Sequence, residues 1–147
     1  MRRFRFSLER VLKVAAIRER LATQEFAAAM RRLREEQEGL RQAKGRRRQA
    51  QSELEARTRG VIDVTGVLMT IGCIEAVTVE IEQREQRVAA AAAVAEEKRQ
   101  ALLACMKSRK TLEKLRERRY EDYRAAVLGE EQRAIDEMAQ RIALQGR

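Results

Sequence analysis

The chain has 147 residues, with 32 Lys and Arg against 23 Asp and Glu, so its formal net charge is +9. That length allows one domain at most, and three Phe, two Tyr and no Trp leave few bulky side chains for a thick globular core. The absence of Pro favours long helices. Because His is also absent, the usual proton shuttle and metal ligand is missing. We therefore predict no enzyme activity, no catalytic residue, no cofactor and no metal site.

A heptad pattern begins near the N-terminus and predicts helix 1 over about residues 7–58. Its two series alternate in steps of four and three, and eleven of the fourteen positions are apolar. This spacing places them on one stripe of a helix, which is the pattern of a coiled-coil seam. One series consists of Leu8, Ala15, Ala22, Ala29, Glu36, Ala43 and Ala50, and the other of Leu12, Glu19, Phe26, Leu33, Leu40, Arg47 and Leu54.

The seam is interrupted between Gly60 and Gly66, where two glycines flank β-branched residues. This predicts a turn over about residues 59–66, extending to 72 if Gly72 also delays the helix. Helix 2 is then expected over about residues 67–145. Its seam runs through Ile74, Ile81, Val88, Ala95 and Leu102, with Val77, Ala91, Cys105 and Leu112 in a companion series that Arg84 and Lys98 interrupt.

The predicted fold is all-α, a single domain over residues 1–147 in which two long helices form an antiparallel coiled-coil hairpin. Folding back at the turn pairs residues whose numbers sum to about 126 to 130. The start of helix 1 then lies opposite about residue 120 of helix 2. Roughly twenty residues of helix 2 extend beyond this point and form a C-terminal overhang. The overhang carries an apolar stripe that needs a partner. It consists of Leu128, Ile135, Met138 and Ile142.

Charge is distributed unevenly along the chain. Residues 1–60 hold 17 basic and 8 acidic residues, whereas residues 61–95 hold 2 and 5. For the densest basic run, Lys44 with Arg46 to Arg48, a solvated face is favoured over contact with an anionic protein, and nucleic acid comes last because no aromatic side chains are interleaved. The longest uncharged stretch, Val64 to Ile74, has 11 residues, fewer than the ~20 that span a bilayer. A cytoplasmic protein is expected.

Three stretches resemble FliJ-type proteins of the bacterial flagellar type III export apparatus. They are FRFSLERVL (Phe4 to Leu12), KTLEKLRERRYEDY (Lys110 to Tyr123) and EEQRAIDEMAQR (Glu130 to Arg141). Their order and the glycine-containing break between them also fit, so the resemblance covers essentially the whole chain.

The resemblance implies a stalk that hydrolyses nothing and couples a hexameric export ATPase to the cytoplasmic domain of the membrane export gate, while assisting export chaperones. The ATPase would meet the end that bears both termini, through Arg3, Arg5 and Arg10 with the overhang residues Leu128, Ile135, Met138 and Ile142. The implied location is the cytoplasmic face of the cell membrane at the flagellar base, with association through partners only.

The gate end departs from the family pattern, which often presents aromatic residues beside the turn. No aromatic residue lies between Phe26 and Tyr120, so a gate contact would be aliphatic, at Ile71, Ile74 and Val77. For Ile74 and Val77 a place in the seam is an equally good interpretation. Two other functions remain open: the equivalent stalk of a virulence type III secretion system, and a basic helical hairpin that binds nucleic acid.

Overall fold

The computed structural model describes residues 4–145, which form two helices and, within that range, no strand. Helix α1 spans Glu9–Arg57 and α2 spans Val64–Gln145. The two helices pack against each other as an antiparallel hairpin, which confirms the predicted fold class. The chain divides into two compact units. The turn unit consists of residues 21–103, and the terminal unit consists of residues 1–20 and 104–147.

A short connection reverses the chain between the two helices. The backbone N–H of Thr58 donates to the carbonyl oxygen of Leu54, at 3.1 Å, and Gly60 follows with φ of 88°. Glycine adopts this left-handed conformation without the steric cost that a Cβ imposes. Helix α2 starts directly after Asp63, whose carbonyl oxygen accepts from the N–H of Val67 at 3.0 Å. Gly66 and Gly72 consequently lie within α2.

Substitution of two glycines of the turn unit by alanine is expected to change stability in opposite directions. Gly60→Ala should lower the free energy of unfolding by about 1 kcal/mol because alanine disfavours a positive φ. Gly45→Ala should raise it by about 0.5–1 kcal/mol, since Gly45 lies inside α1 with no atom within 4 Å of the added Cβ and alanine is the better helix former. Urea titrations of both variants measure the difference, and a shift of the same sign in both would contradict this description of the turn.

The seam of the turn unit combines alanines with larger apolar side chains. Every position predicted for the two α1 series between residues 22 and 54 is buried or half-buried. The most enclosed residues are Ala43, Ile81 and Ala95, which expose 0%, 3% and 4% of their surface. Alanine fills little volume, which permits packed helices to approach closely.

Charged residues that interrupt the α2 series are accommodated by specific neighbours on α1. The guanidinium of Arg84 occupies the space above Gly39, where an added Cβ would collide with Nη1. Lys98 reaches out of the seam and its Nζ lies 2.8 Å from Glu25 Oε2. Long basic side chains can cover apolar surface in this way while their charged ends stay solvated. The residue numbers of Lys98 and Glu25 sum to 123, which is close to the 126 to 130 expected for paired residues.

Acidic side chains on both helices of the turn unit accept hydrogen bonds from arginine. Arg41 lowers the pKa of Glu38 from 4.5 to about 2, and Arg99 lowers the pKa of Glu96 likewise, also to about 2. The pKa of Glu80 is lowered as well, first by Arg84 and then by Arg46. Each pair is solvated, so each contributes little by itself.

We expect the stability of the hairpin to be constant at neutral pH and to fall as the pH drops from about 4.5 towards 2. A carboxylate with a lowered pKa in the folded state stabilises that state above its unfolded pKa and loses the contribution on protonation. Thermal unfolding followed by circular dichroism at a series of pH values measures this. The double variant E38Q/E96Q should show a shallower dependence, and an unchanged profile would exclude these pairs as its source.

The terminal unit is held by ion pairs and by an aromatic cluster. Arg109 donates to Glu19 and Glu113, and Leu12 is buried. The ring of Phe4 lies 5.3 Å from that of Tyr120 and 5.6 Å from that of Tyr123, between centroids. Edge-on aromatic contacts of this kind add to the free energy of burial, so they hold the segment that precedes α1 against α2.

Candidate protein-docking surfaces

The apolar stripe of the terminal unit is uncovered. No described residue from Arg124 to Leu144 is buried, and only Val127 is half-buried. The four stripe residues expose between 55% and 71% of their surface; they are Leu128, Ile135, Met138 and Ile142. Their spacing of seven, three and four places them along one side of α2. A continuous exposed apolar stripe on a helix is the form of a helix that inserts into a groove or pore of a partner.

Basic residues lie just before α1 and in its first turn, in the same unit. Arg5 and Arg10 are exposed, whereas Arg3 lies outside the described residues. Phe4 fixes the position of Arg5 relative to α2 through its contacts with Tyr120 and Tyr123. This aromatic cluster was not expected from the sequence, because Phe4 lies more than 110 positions from the two tyrosines and the three belong to no local pattern. The side chain of Tyr120 remains about half exposed.

The residues expected to contact a gate differ in their exposure. Ile71 is exposed, whereas Ile74 and Val77 are half-buried, as seam positions are. Five other apolar residues in or next to the turn are more exposed than Ile71: Val61, Ile62, Val64, Leu68 and Met69. They were not predicted from the sequence, because they lie outside the seam period.

The densest basic run is partly neutralised within the turn unit. Lys44 Nζ lies 2.8 Å from Glu85 Oε1, and Arg46 Nη2 lies 2.8 Å from Glu80 Oε1. Phosphate binding would have to break these pairs, which weighs against a nucleic-acid site. Among residues 4–145, no group of three or more Cys, Asp or Glu side chains is placed to hold a metal ion. Cys73 and Cys105 are free thiols.

One helix, α2, is long and apolar enough to cross a membrane by length and composition alone. An 18-residue stretch of it has a mean hydropathy of 1.7, and 11% of that stretch is buried. A span starting at Val64 would have to include Glu75 and Glu80, which are costly inside a bilayer. Glu80 moreover pairs with Arg46 of α1.

The described residues therefore form an antiparallel helical hairpin with an exposed apolar stripe on α2 and a second exposed apolar surface beside the turn. Residues 4–147 match the family described as flagellar FliJ protein, and the chain belongs to that family. Its members are adaptors of type III export and not catalysts. The fold is also similar to the solved structure of CT670, a putative YscO homolog from Chlamydia trachomatis, with 25% sequence identity, a TM-score of 0.55 and coverage of 94% of each chain. No curated protein matches this chain.

Proposed function

We propose that this protein is a non-enzymatic stalk of the flagellar type III export apparatus that couples the hexameric export ATPase to the membrane export gate. The observation that carries the proposal is the apolar stripe from Leu128 to Ile142, uncovered by any described residue, in a chain of the FliJ family. An exposed stripe of this kind on a slender helix fits a ring-shaped partner better than a flat one.

The terminal unit supplies the proposed contact with the ATPase. Arg5 and Arg10 add positive charge at the start of α1, and Arg3 adds a further positive charge to the N-terminal sequence. Basic residues at an interface rim mainly raise the rate of encounter with an acidic partner. The stripe supplies the apolar area that holds the complex once it has formed. Attraction and retention are thereby assigned to different residues, which makes them separable by mutation.

The turn unit supplies the proposed contact with the cytoplasmic domain of the gate. Ile71 is the exposed member of the three residues expected there, while Ile74 and Val77 would support it from the seam. In this proposal the protein also assists the cycling of export chaperones, and it is held at the cytoplasmic face of the membrane, at the flagellar base, by its partners.

Direct binding tests the proposal. The full-length chain, mixed with the purified export ATPase of the same organism, should co-elute with it in gel filtration and raise its rate of ATP hydrolysis. No complex and no change in rate at micromolar concentrations of both proteins would contradict it.

Neutralising the arginines is expected to slow association without affecting folding. In the variant R3Q/R5Q/R10Q the rate constant for association with the ATPase should fall by about tenfold at low salt and less at physiological salt, because screening weakens charge attraction. The thermal midpoint should hardly change, since exposed arginines contribute little to stability. Stopped-flow association at the two salt concentrations measures this, and identical rates would show that these charges serve solubility alone.

The similarity to a putative YscO homolog favours a second candidate, the equivalent stalk of a virulence type III secretion system. Complementation separates the two. A flagellar stalk restores swimming to a strain that lacks its own copy of the gene, whereas a virulence stalk restores only secretion through the injectisome.

A further inference from the structure

A row of exposed aliphatic side chains lies on the side of α1 that faces away from the seam. Its members, here called the outer row, are Val14, Ile17 and Leu21, which expose 46%, 55% and 54% of their surface. At about 100° per residue they lie roughly 150° around the helix from the seam series. The seam therefore leaves this row uncovered, and neither of the proposed contacts, with the ATPase or with the gate, uses it.

The outer row has the same spacing as the apolar stripe of the overhang. Both advance in steps of three and four, and three stripe residues each stand 121 positions after a residue of the outer row. Two parallel helices in this register bring three apolar pairs together, as the core layers of a coiled coil do. The pairs are Val14 with Ile135, Ile17 with Met138, and Leu21 with Ile142.

The charges of the two segments are complementary as well. The same register places Glu131 opposite Arg10, and both side chains are exposed. Residues 9–21 hold four basic and two acidic residues, whereas residues 128–142 hold two basic and four acidic residues. A shift of one heptad towards the turn would place Glu131 opposite Ile17 instead. Charge and apolar spacing together therefore favour one register.

This pairing requires a second copy of the chain. Glu9, at the start of α1, pairs with Arg116 at 3.5 Å, so the stripe lies beyond the start of its own α1, on a helix antiparallel to it. A second copy that points in the opposite direction supplies a parallel α1. A two-fold axis makes the contact reciprocal. About 14 residues of α2, or about 20 Å, then separate the starts of the two α1 helices, which leaves room for the segments that precede them.

From this arrangement we propose that two copies of this chain form a closed antiparallel dimer, in which the apolar stripe of each covers the outer row of the other. Twelve apolar side chains are covered in total, which amounts to roughly 1,000 Å² of apolar surface. This area lies at the lower end for specific interfaces, so we expect a reversible dimer with a dissociation constant of about 10 μM. Each hairpin keeps its own seam and stays folded when the dimer dissociates.

The opposite orientation of the paired helices gives a different assembly. Residues whose numbers sum to 149 also match, and these pairs include Val11 with Met138 and Arg18 with Glu131. Two copies then point in the same direction, so the contact is not reciprocal and continues as an open chain, whereas most soluble homo-oligomers are closed. The two assemblies differ in the residue opposite Met138, which is Ile17 in the dimer and Val11 in the open chain.

Sedimentation equilibrium of the purified full-length chain measures the assembly. The mass should approach twice 17.0 kDa above about 50 μM and return to that of one chain well below about 1 μM. The variant I17Q/L21Q should dimerise at least tenfold more weakly. The matched control L103Q/L115Q changes two exposed leucines outside the outer row and should dimerise like wild type. Both variants should keep wild-type helicity, because the four side chains are exposed.

Charge reversal tests the register. R10E and E131R should each weaken the dimer by about three- to tenfold at low salt, and the double variant R10E/E131R should restore it, because the pair is then re-formed with the charges exchanged.

Disulfide trapping tests the orientation. In a chain that carries C73A and C105A, oxidised I17C/M138C should give a covalent dimer and no larger species. The variant V11C/M138C should stay a single chain.

Three results would overturn the proposal. The wild-type chain stays single at about 100 μM, I17Q/L21Q and L103Q/L115Q weaken the dimer equally, or V11C/M138C gives a ladder of crosslinked chains while I17C/M138C gives no dimer.

The dimer hides the stripe that is proposed to bind the ATPase, so a second copy and the ATPase compete for the same residues. Only this consequence rests on the proposed function. I17Q/L21Q keeps the stripe intact and should stimulate the ATPase at least as well as wild type. A chain that stays single yet stimulates the ATPase refutes the dimer and leaves the stalk proposal standing.

Discussion

Replacement of Leu128, Ile135 and Ile142 together by glutamine is expected to weaken binding to the export ATPase by about 100-fold or more and to remove stimulation of its activity. Full burial of one such side chain stabilises a complex by about 1.5–3 kcal/mol, and about 1.4 kcal/mol corresponds to a factor of ten in affinity. Isothermal titration with the ring-forming ATPase measures the loss. The control is Leu144→Gln, at a residue that is even more exposed but lies off the stripe; this variant should bind like wild type.

The same triple variant should fold normally. No described residue covers this part of α2, so polar side chains there remove no packing, and the thermal midpoint should match that of the wild-type chain. Normal folding with loss of binding assigns the stripe to recognition. Loss of folding would instead show that the stripe is covered within the free protein, for example by a second copy, and wild-type affinity would exclude it from the interface.

The largest effect on stability is expected at Ile81, the best-buried large side chain of the turn unit. It exposes 3% of its surface, and Ile81→Ala should lower the free energy of unfolding by about 2–5 kcal/mol, since it removes buried methyl groups and leaves a cavity. Val79→Ala, at an exposed position two residues earlier, is the control and should change stability by less than about 0.5 kcal/mol.

Urea unfolding followed by circular dichroism measures both variants. A hairpin of two helices has a thin core, so a loss of this size is a large fraction of its total stability. Equal effects of Ile81→Ala and Val79→Ala would contradict the helix orientation that places Ile81 in the seam.

Much of the fold follows from the sequence because a coiled-coil seam is a local, repeated signal. The steps of four and three predicted which residues of α1 face α2, including the charged positions Glu36 and Arg47, which are half-buried. The pattern could not reveal how Arg84 is accommodated, because the space it uses comes from Gly39 on the other helix. The aromatic cluster of Phe4, Tyr120 and Tyr123 was not predicted for the same reason. It depends on which residues of the two ends of the chain lie opposite each other, and the heptad period of one helix does not give this.

The exposed apolar surfaces were predictable only in part. Leu128 to Ile142 form a stripe that the sequence shows directly, because no residues of helix 1 remain to cover it. Next to the turn, the residues predicted as gate contacts include Ile74 and Val77, which follow the seam period and are half-buried. Leu68 and Met69, which do not follow that period, are exposed. When a helix is apolar on all sides, its sequence does not indicate which side faces the partner, because no polar side marks the surface that meets water.

Site-specific photocrosslinking tests the central claim, that the terminal unit enters the export ATPase, most directly. A benzoylphenylalanine at Ile135 or Ile142 should crosslink to the ATPase when nucleotide promotes ring formation, and the same group at Val79 of the turn unit should not. Crosslinks to the ATPase from Val79, with none from Ile135 or Ile142, would contradict the account.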